Sequence, residues 1–296
     1  MVDASVIIPT IGRPERLRAC LESLAGCDPR PSEVVVVDQS ETGDTAALVE
    51  EFSGLGARRV TCERRGVGHA RNVGLVNARG QVALMTDDDC TVADSWVGEG
   101  VRLAREHPGA LITGAVLAGE DSPMALSTKV DPAPWDYTGE RTSGVLYTNN
   151  ALGPRAELVA FGGFDERLPT AEDNDLCYRW LAEGRPLRYE PELVVWHHDW
   201  RTPEQLVRTH VAYARAQGAF YAKHLHAGDR RVLPLLRWDL RQGLRSTVVG
   251  LVRRTPRWQD PYREMVWSLL RGLAAGWLEA RRLDPSPASR VSSGAG

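Results

Sequence analysis

Runs of strand length, most of them largely apolar, alternate with helical patterns over about the first 90 residues. The strand-like runs are 4–8, 34–37, 57–62 and 81–85, and the helical patterns between them are 13–25, 42–52 and 66–78. Short, continuous runs rich in β-branched residues are typical of strands that are buried on both faces. Because strands that alternate with helices form right-handed crossover units, the sequence predicts an α/β fold with a mostly parallel sheet and flanking helices.

Polar side chains follow three of these predicted strands, at the point where each strand ends. Thr10 and Arg13 follow the first, Asp38 and Ser40 the second, and the acidic triplet 87–89 the fourth. Each group alone is explained by capping or turn formation. The carboxyl ends of parallel strands meet at one edge of the sheet, where such folds bind ligands, so their shared location predicts a nucleotide site.

The triplet Asp87, Asp88 and Asp89 places three carboxylates directly after a buried apolar run. Like charges this close repel one another, and removing them from water is costly unless a positive group lies between them. Carboxylate oxygens suit Mg²⁺ or Mn²⁺, and Mg²⁺ usually completes its shell with water and substrate phosphates. The triplet therefore indicates a metal–nucleotide site, with a solvated acidic turn as the alternative.

A second acidic cluster, Glu172, Asp173 and Asp175, falls in the first turn of a helix predicted to begin at Thr170 or Ala171. The helix dipole favours acidic residues there, which is the structural explanation for all three. The functional interpretation requires one of these carboxylates to face the cleft as a general base. A glycine pair shortly before the cluster would then allow a close backbone approach.

Two further groups are candidates for the same edge. The glycine-rich segment 66–72 does not follow a strand as a dinucleotide-binding turn does, so it indicates no Rossmann site. Its Arg71 would face a phosphate or a sheet-end carboxylate, or form a structural ion pair. A late predicted strand ends at His197 and His198, where an imidazole would complete a metal shell begun by Asp89, unless both histidines are structural.

The composition is that of a soluble globular protein, with 43% hydrophobic and 25% charged residues. No basic segment precedes the first apolar run, so we expect no secretory signal. No uncharged apolar stretch reaches the roughly 18 residues that a spanning helix needs. The five cysteines are scattered without metal-ligand spacing, so we expect reduced thiols and a cytoplasmic protein.

Charge is divided unevenly along the chain. Residues 1–200 hold 19 basic and 32 acidic residues, a balance of −13, whereas 201–296 hold 17 and 7, a balance of +10. The helical patterns of the basic part are 204–225, 233–252 and 262–283, and the last two combine tryptophan and leucine with arginine. Such helices suit an anionic membrane surface, so peripheral attachment at the inner face of a membrane is one expectation.

The alternative for the basic part is an ordinary helical subdomain that packs against the sheet or forms a dimer. Nucleic-acid binding is not expected, since no reading motif accompanies the arginines. The last residues, 284–296, are rich in proline, serine and glycine and are expected to be a disordered tail.

Six short motifs occur in order along the chain. They are Ser-Val-Ile-Ile-Pro-Thr at 5–10, Val-Val-Asp at 36–38, Gly-His-Ala-Arg-Asn at 68–72, Thr-Asp-Asp-Asp at 86–89, Gly-Gly-Phe-Asp at 162–165 and Glu-Asp-Asn-Asp-Leu at 172–176. The ordered set resembles the family 2 glycosyltransferases with a GT-A fold. This resemblance implies a catalytic domain over 1–200, with a nucleotide half at about 1–90 and an acceptor half at about 91–200, followed by a basic helical extension over 201–283.

The resemblance also implies a role for each matching position. The positions that would hold the nucleotide sugar are Pro9, Thr10, Arg13, Asp38, Ser40, Arg71, Asp87 and Asp88. Asp38 would contact the base, which is commonly uracil in this family. Asp89 would bind the Mn²⁺ or Mg²⁺ that bridges the diphosphate, and the strand-end position of His197 and His198 makes either one a candidate further ligand. Asp173 would be the general base, supported by Glu172.

The implied reaction is metal-dependent transfer of one sugar, with inversion, from a nucleoside-diphosphate sugar to an acceptor hydroxyl. A UDP-sugar is the expected donor, and a glycan, a lipid-linked molecule or a small molecule is the expected acceptor. The Gln-x-x-Arg-Trp motif of processive polysaccharide synthases is absent after the late strands, which predicts transfer of a single sugar. The family's Asp-x-x-Ser is one residue shorter here, at 38–40, so the resemblance leaves the base open.

Two other functions fit the same residues. A sugar nucleotidyltransferase also uses carboxylates, a metal and a similar sheet, but it releases pyrophosphate from a nucleoside triphosphate. A non-catalytic sugar-nucleotide or carbohydrate-binding protein would need no general base, and the presence of Asp173 and Asp89 argues against it.

Overall fold

The computed structural model describes residues 3–41, 43–120, 122, 127–138 and 142–283. The expected tail at 284–296 lies outside these residues. The chain divides into two compact units, Met1–Trp200 and Arg201–Gly296.

The first unit is built on one mixed sheet. Its strands are β1 (Ala4–Thr10), β2 (Glu33–Asp38), β3 (Ala57–Thr61), β4 (Val82–Thr86), β5 (Cys90–Val92), β6 (Leu111–Ala118), β7 (Trp135–Tyr137), β8 (Asn150–Pro154) and β9 (Leu187–His197). Its helices are α1 (Pro14–Ala25), α2 (Asp44–Glu51), α3 (Val67–Asn77), α4 (Trp96–Glu106), α5 (Arg155–Ala160) and α6 (Glu172–Ala182). The strand order among the described residues is β3-β2-β1-β4-β8-β6-β9-β5, with β7 pairing to β9.

The first four strands form the parallel half of the sheet. β1 pairs in parallel with β2 and β4, and β2 pairs in parallel with β3. Thr10 lies opposite Asp38 in the register, so the ends of β1 and β2 coincide. The α/β class with flanking helices is therefore confirmed, and the carboxyl ends of these strands share one edge.

The other half of the sheet is mixed, which the sequence pattern does not foresee. β8 runs antiparallel to both β4 and β6, whereas β6 and β9 are parallel. Buried Asn150 fixes this arrangement, because its amide nitrogen donates to the carbonyls of Ala115 and Leu193 at 2.8 Å each. The indole nitrogen of Trp96 donates to the Asn150 amide oxygen at 2.8 Å.

Two local expectations are wrong. The runs 187–189 and 193–196, which the sequence pattern predicts as two separate strands, form one strand, β9, whose pairing with β6 shifts register between Gly114 and Ala115. Pro191 lies in this irregular stretch, where a residue without an N–H does not break the ladder. The sequence pattern also predicts a helix over 94–107, but α4 begins at Trp96, because the Trp96 amide closes a turn on the Ala93 carbonyl at 2.8 Å.

Hydrophobic cores cover both faces of the sheet. Alternate β1 side chains divide between them, because successive residues of a strand point to opposite faces. Val6 and Ile8 face the core formed with α1, α2 and α4, whereas Ile7 faces the core formed with α3, α5 and α6. Burial on both faces explains why the strands read as continuous apolar runs.

The second unit contains three long helices, α7 (Pro203–His226), α8 (Leu233–Arg253) and α9 (Met265–Leu283). α7 begins with a capping box in which Thr202 and Gln205 bond each other's backbone amides. Gly218 and Gly272 allow α7 and α9 to approach closely, since a Cβ on either would meet backbone atoms of the other helix. Across the described residues, none of the helices has both the length and the apolar character that crossing a bilayer requires.

Candidate active site

The residues after β1 and β4 meet directly at the edge of the parallel half. The Thr10 hydroxyl donates to the Asp88 carboxylate at 2.6 Å. Arg13 lies between two carboxylates, with Nη2 2.6 Å from Asp88 Oδ1 and Nη1 3.1 Å from Asp89 Oδ2. Arg13 thus supplies the positive charge that the acidic triplet requires. Burial still raises the pKa of Asp88 to about 7, although Arg13 acts in the opposite direction.

The end of β2 is held by an ion pair whose carboxylate is buried and whose arginine is partly exposed. Asp38 is fully buried, accepts from the Ser40 amide at 2.9 Å and accepts from Arg59 Nε at 2.7 Å. The Ser40 hydroxyl in turn accepts from the Gly12 amide at 2.7 Å, which ties the loops after β1 and β2 together. Pro9 is buried inside β1, opposite Val37, so it shapes the edge through the backbone. This completes the three polar clusters predicted for the edge.

A group of possible metal ligands lies beside the triplet. Ligand atoms of Asp89, Cys90 and His197 all lie within 4.8 Å of one another, and His197 Nε2 is 3.5 Å from Asp89 Oδ1. Burial, followed by the charge of Asp89, raises the pKa of Cys90 well above its ordinary value, so its thiol stays protonated. The donors that suit Mg²⁺ or Mn²⁺ are therefore the Asp89 carboxylate and the His197 imidazole.

The tandem histidines have different surroundings. His198 is not in the ligand group formed by the described residues; its Nε2 is 2.8 Å from the Thr91 hydroxyl and its ring lies against Gly119. Adjacent residues of an extended chain point to opposite sides, which accounts for the separation from His197. Trp200 approaches the ligand group instead, donating from Nε1 to Asp89 Oδ2 at 3.2 Å.

Helix α6 brings the second acidic cluster to the site with its first turn. Glu172 is buried, whereas Asp173 is only partly buried and its Oδ1 accepts from the Asn174 amide at 2.7 Å. Asp175 has a structural partner one turn on, since Arg179 Nε donates to it at 2.7 Å. Because Asp173 is partly exposed, a bound molecule can reach its carboxylate. The buried carboxylate of Glu172 is not accessible in this way.

Arg71 of α3 joins the two acidic clusters. Its side chain is only 3% exposed, and it donates to Glu172 Oε1 at 2.7 Å and to Asp87 Oδ1 at 2.8 Å. The guanidinium also lies 5.7 Å from the centre of the Phe164 ring. Asp87 and Glu172 are far apart in the sequence, so this double ion pair establishes that the loop after β4 and the start of α6 border the same site.

Burial shapes the acidity of the α6 carboxylates. It raises the pKa of Glu172, with the neighbouring Asp173 adding to the effect and Arg71 opposing it. It also raises the pKa of Asp173, again against the influence of Arg71. A carboxylate with a raised pKa is a stronger base than one in water, which suits proton removal near neutral pH.

Three contributors to this edge were missed by sequence reasoning. Arg59 lies within β3, and its ion pair with Asp38 depends on the register in which β3 pairs with β2. The sequence pattern does not give that register. Cys90 directly follows the acidic triplet and Trp200 lies two residues after the tandem histidines, but both have ordinary structural explanations in sequence. Only the three-dimensional arrangement brings both to Asp89.

Comparison with known proteins finds similar sequences for the part of the chain that holds most of these site residues. Residues 5–147 match the family model described as Glycosyl transferase family 2. The pre-mycofactocin glycosyltransferase of Mycobacterium tuberculosis is 29% identical over 222 residues, covering 68% of this chain and 43% of that protein. The poly(ribitol-phosphate) beta-N-acetylglucosaminyltransferase TarS of Staphylococcus aureus is 32% identical over 186 residues, covering 58% of this chain and 31% of that protein. The chain thus spans less than half the length of these curated relatives.

Solved structures share the fold. The S. aureus TarS 1–349 structure in complex with UDP has a TM-score of 0.58 at 18% identity, covering 95% of this chain and 92% of that one. The mannosyltransferase PcManGT from Pyrobaculum calidifontis, in complex with GDP-Man and Mn²⁺, has a TM-score of 0.59 at 19% identity, covering 93% and 87%. The expected GT-A fold is confirmed. The family-model match and the curated relatives add that this chain is similar in sequence to glycosyl transferase family 2, the model match covering residues 5–147.

Proposed function

We propose that this protein transfers one sugar from a nucleoside-diphosphate sugar to an acceptor hydroxyl, with inversion and with help from a divalent metal ion. The observation that carries the proposal is the double ion pair of Arg71 with Asp87 and Glu172. It brings a carboxylate pair suited to proton removal to the same edge as a carboxylate group suited to a metal-bound diphosphate.

The donor would lie along the ends of β1, β2 and β4. Asp38 and Ser40 are the groups for the base, while Thr10 and Arg13 border the carboxylates where the diphosphate would lie. A nucleotide-sugar donor is supported by neighbours of this fold that hold UDP, UDP-GlcNAc or GDP-Man. A UDP-sugar is the donor that we favour, since the sequence relative TarS is named as a beta-N-acetylglucosaminyltransferase and its structure holds UDP.

Asp89 and His197 would hold Mn²⁺ or Mg²⁺ between them and the donor. Their carboxylate and imidazole donors fit such an ion, and one neighbour of the fold holds Mn²⁺. When bound, the ion stabilises negative charge on the leaving diphosphate as a Lewis acid. Arg13 and Trp200, which both bond the second oxygen of Asp89, would orient that carboxylate.

Asp173 would act as the general base. It takes the proton from the acceptor hydroxyl while that oxygen attacks the anomeric carbon and the bond from this carbon to the diphosphate breaks. Attack from the side opposite the leaving group inverts the anomeric configuration. Glu172 and Arg71 would support Asp173 from the buried side, because their charges set how readily it ionises. The acceptor would be a glycan, a lipid-linked molecule or a small molecule.

The metal assignment is tested by replacing Asp89 with asparagine. Calorimetric titration of the wild-type chain with UDP is expected to give tighter binding in the presence of Mn²⁺ than in its absence. In the presence of Mn²⁺, Asp89→Asn should bind UDP about 10–100-fold more weakly than the wild type does. Even the loss of an outer-shell partner of a metal typically lowers metal affinity by that factor. The matched control is Asp94→Asn, which makes the same charge change at an exposed position. Equal UDP affinity of the wild type with and without Mn²⁺ would contradict the metal site.

A further inference from the structure

The outward face of α8 is unusual for the surface of a globular unit. Its exposed apolar side chains are Leu233, Trp238, Leu244, Val248, Val249, Leu251 and Val252, the last being 79% exposed. At 100° per residue these positions span about 160° of the helix circumference and run along about 30 Å of its length. The opposite face, with Leu236, Asp239, Gly243 and Gly250, is buried. An apolar surface of this extent marks an interaction site.

Arginines are interleaved with these apolar side chains. Arg237, Arg241 and Arg245 follow one another at intervals of four residues, so they form a row on the same face. All three are exposed, and none forms an ion pair with a residue that the structure describes. The α8 face, as the name is used below, comprises these arginines and the exposed apolar residues.

The α8 face carries no carboxylate. Asp239 is the one acidic residue between 233 and 253, and it points inward. There it accepts a hydrogen bond from the Tyr221 hydroxyl at 2.6 Å, and Gln217 donates to that same hydroxyl at 3.0 Å. The helix therefore separates its charges, with its acid buried in the unit and its bases displayed outward. The complementary partner is anionic and apolar at once.

This combination favours one class of partner. A second copy of the same face is disfavoured, because a self-complementary interface would set the two arginine rows against each other. Nucleic acid would use the arginines but would leave exposed leucine and valine without a partner. A bilayer containing anionic lipid satisfies both, since arginines reach the headgroups while apolar side chains enter the acyl boundary. We propose that the α8 face lies flat on an anionic membrane surface.

Vesicle binding of the full chain tests this inference. Partition is measured by flotation with phosphatidylcholine vesicles that contain or lack phosphatidylglycerol, at low and high salt. The wild type should bind the anionic vesicles, and more weakly as salt rises. Each arginine near an anionic surface is worth about fivefold in partition, so the variant Arg237→Gln/Arg241→Gln/Arg245→Gln should bind roughly 100-fold more weakly. A second variant, Trp238→Ser/Leu244→Ser, removes apolar contact instead and should lose about tenfold per residue.

The matched control removes three exposed arginines of the same unit that lie outside α8. These are Arg208, Arg215 and Arg230, each changed to glutamine. The control variant should keep wild-type vesicle binding, and all variants should keep the wild-type unfolding temperature and donor hydrolysis. Equal wild-type binding to both vesicle types, or equal losses in the control and the α8 variants, would overturn the inference. So would a dimer or a complex with single-stranded RNA that the triple α8 variant abolishes while vesicle binding is unchanged.

Discussion

Asp173→Asn is expected to lower the rate of sugar transfer by about 10²–10⁴-fold, the usual contribution of a general base. Asparagine has nearly the same shape but accepts no proton, so the acceptor hydroxyl would have to attack without losing its proton to the enzyme. Donor affinity should be unchanged, because Asp173 faces the acceptor in the proposed arrangement. Single-turnover rates and calorimetric donor binding together measure the two effects separately.

Glu183→Gln is the matched control for this change. Glu183 follows the same helix, is exposed, and pairs only with Arg185 among the interactions described for it, so its loss should leave the rate unaltered. The pH profile adds an independent check. Because burial raises the pKa of Asp173, wild-type activity should be low below that pKa and rise as the carboxylate ionises. A near-wild-type rate in Asp173→Asn would remove this residue from the mechanism.

Arg71→Met is expected to lower the free energy of unfolding by about 3–5 kcal/mol, the usual cost of removing one partner from a buried ion pair. Methionine fills much of the same space but leaves Glu172 without its cation and Asp87 without one of its contacts. The remaining carboxylates would then repel one another at the site. Urea denaturation followed by circular dichroism measures the change, together with donor hydrolysis.

Arg65→Met provides the comparison, since Arg65 pairs with Glu41 where both side chains are largely exposed. Exposed pairs contribute little to stability, so this variant should unfold almost as the wild type does. Arg71→Lys adds a finer test: lysine keeps the charge but cannot contact both carboxylates with one planar fork. Equal stability of Arg71→Met and Arg65→Met would show that the double ion pair of Arg71 does not stabilise the site.

The parallel half of the sheet could be predicted because its signals are local. The run 34–37 is β-branched and is bounded by turn residues, and the run 4–8 ends in three β-branched residues before Pro9. The mixed half could not, because its order depends on contacts distant in sequence. Asn150, for example, bonds Trp96, Ala115 and Leu193, and no pattern around position 150 names those partners.

Charge partners at the site were harder to foresee than the charged residues themselves. The acidic triplet indicated that a positive group was needed, and the resemblance assigned Arg13 to the nucleotide. The structure places Arg13 on Asp88 and Asp89, which a sequence pattern cannot specify because the two segments meet only through the pairing of β1 with β4. The choice between His197 and His198 likewise depends on which side of the chain each ring occupies.

Product analysis of donor cleavage tests the central claim most directly, that carboxylates from separate loops gather around a metal-bound nucleotide diphosphate. The wild-type chain is incubated with Mn²⁺ and a panel of UDP-sugars and GDP-mannose, without acceptor, and the released nucleotide is identified. We expect slow release of a nucleoside diphosphate and free sugar from one donor, and no release by Asp89→Asn. Donor binding without any cleavage in the presence of metal would contradict the account. So would release of pyrophosphate in a parallel incubation of the wild-type chain with a nucleoside triphosphate and a sugar phosphate.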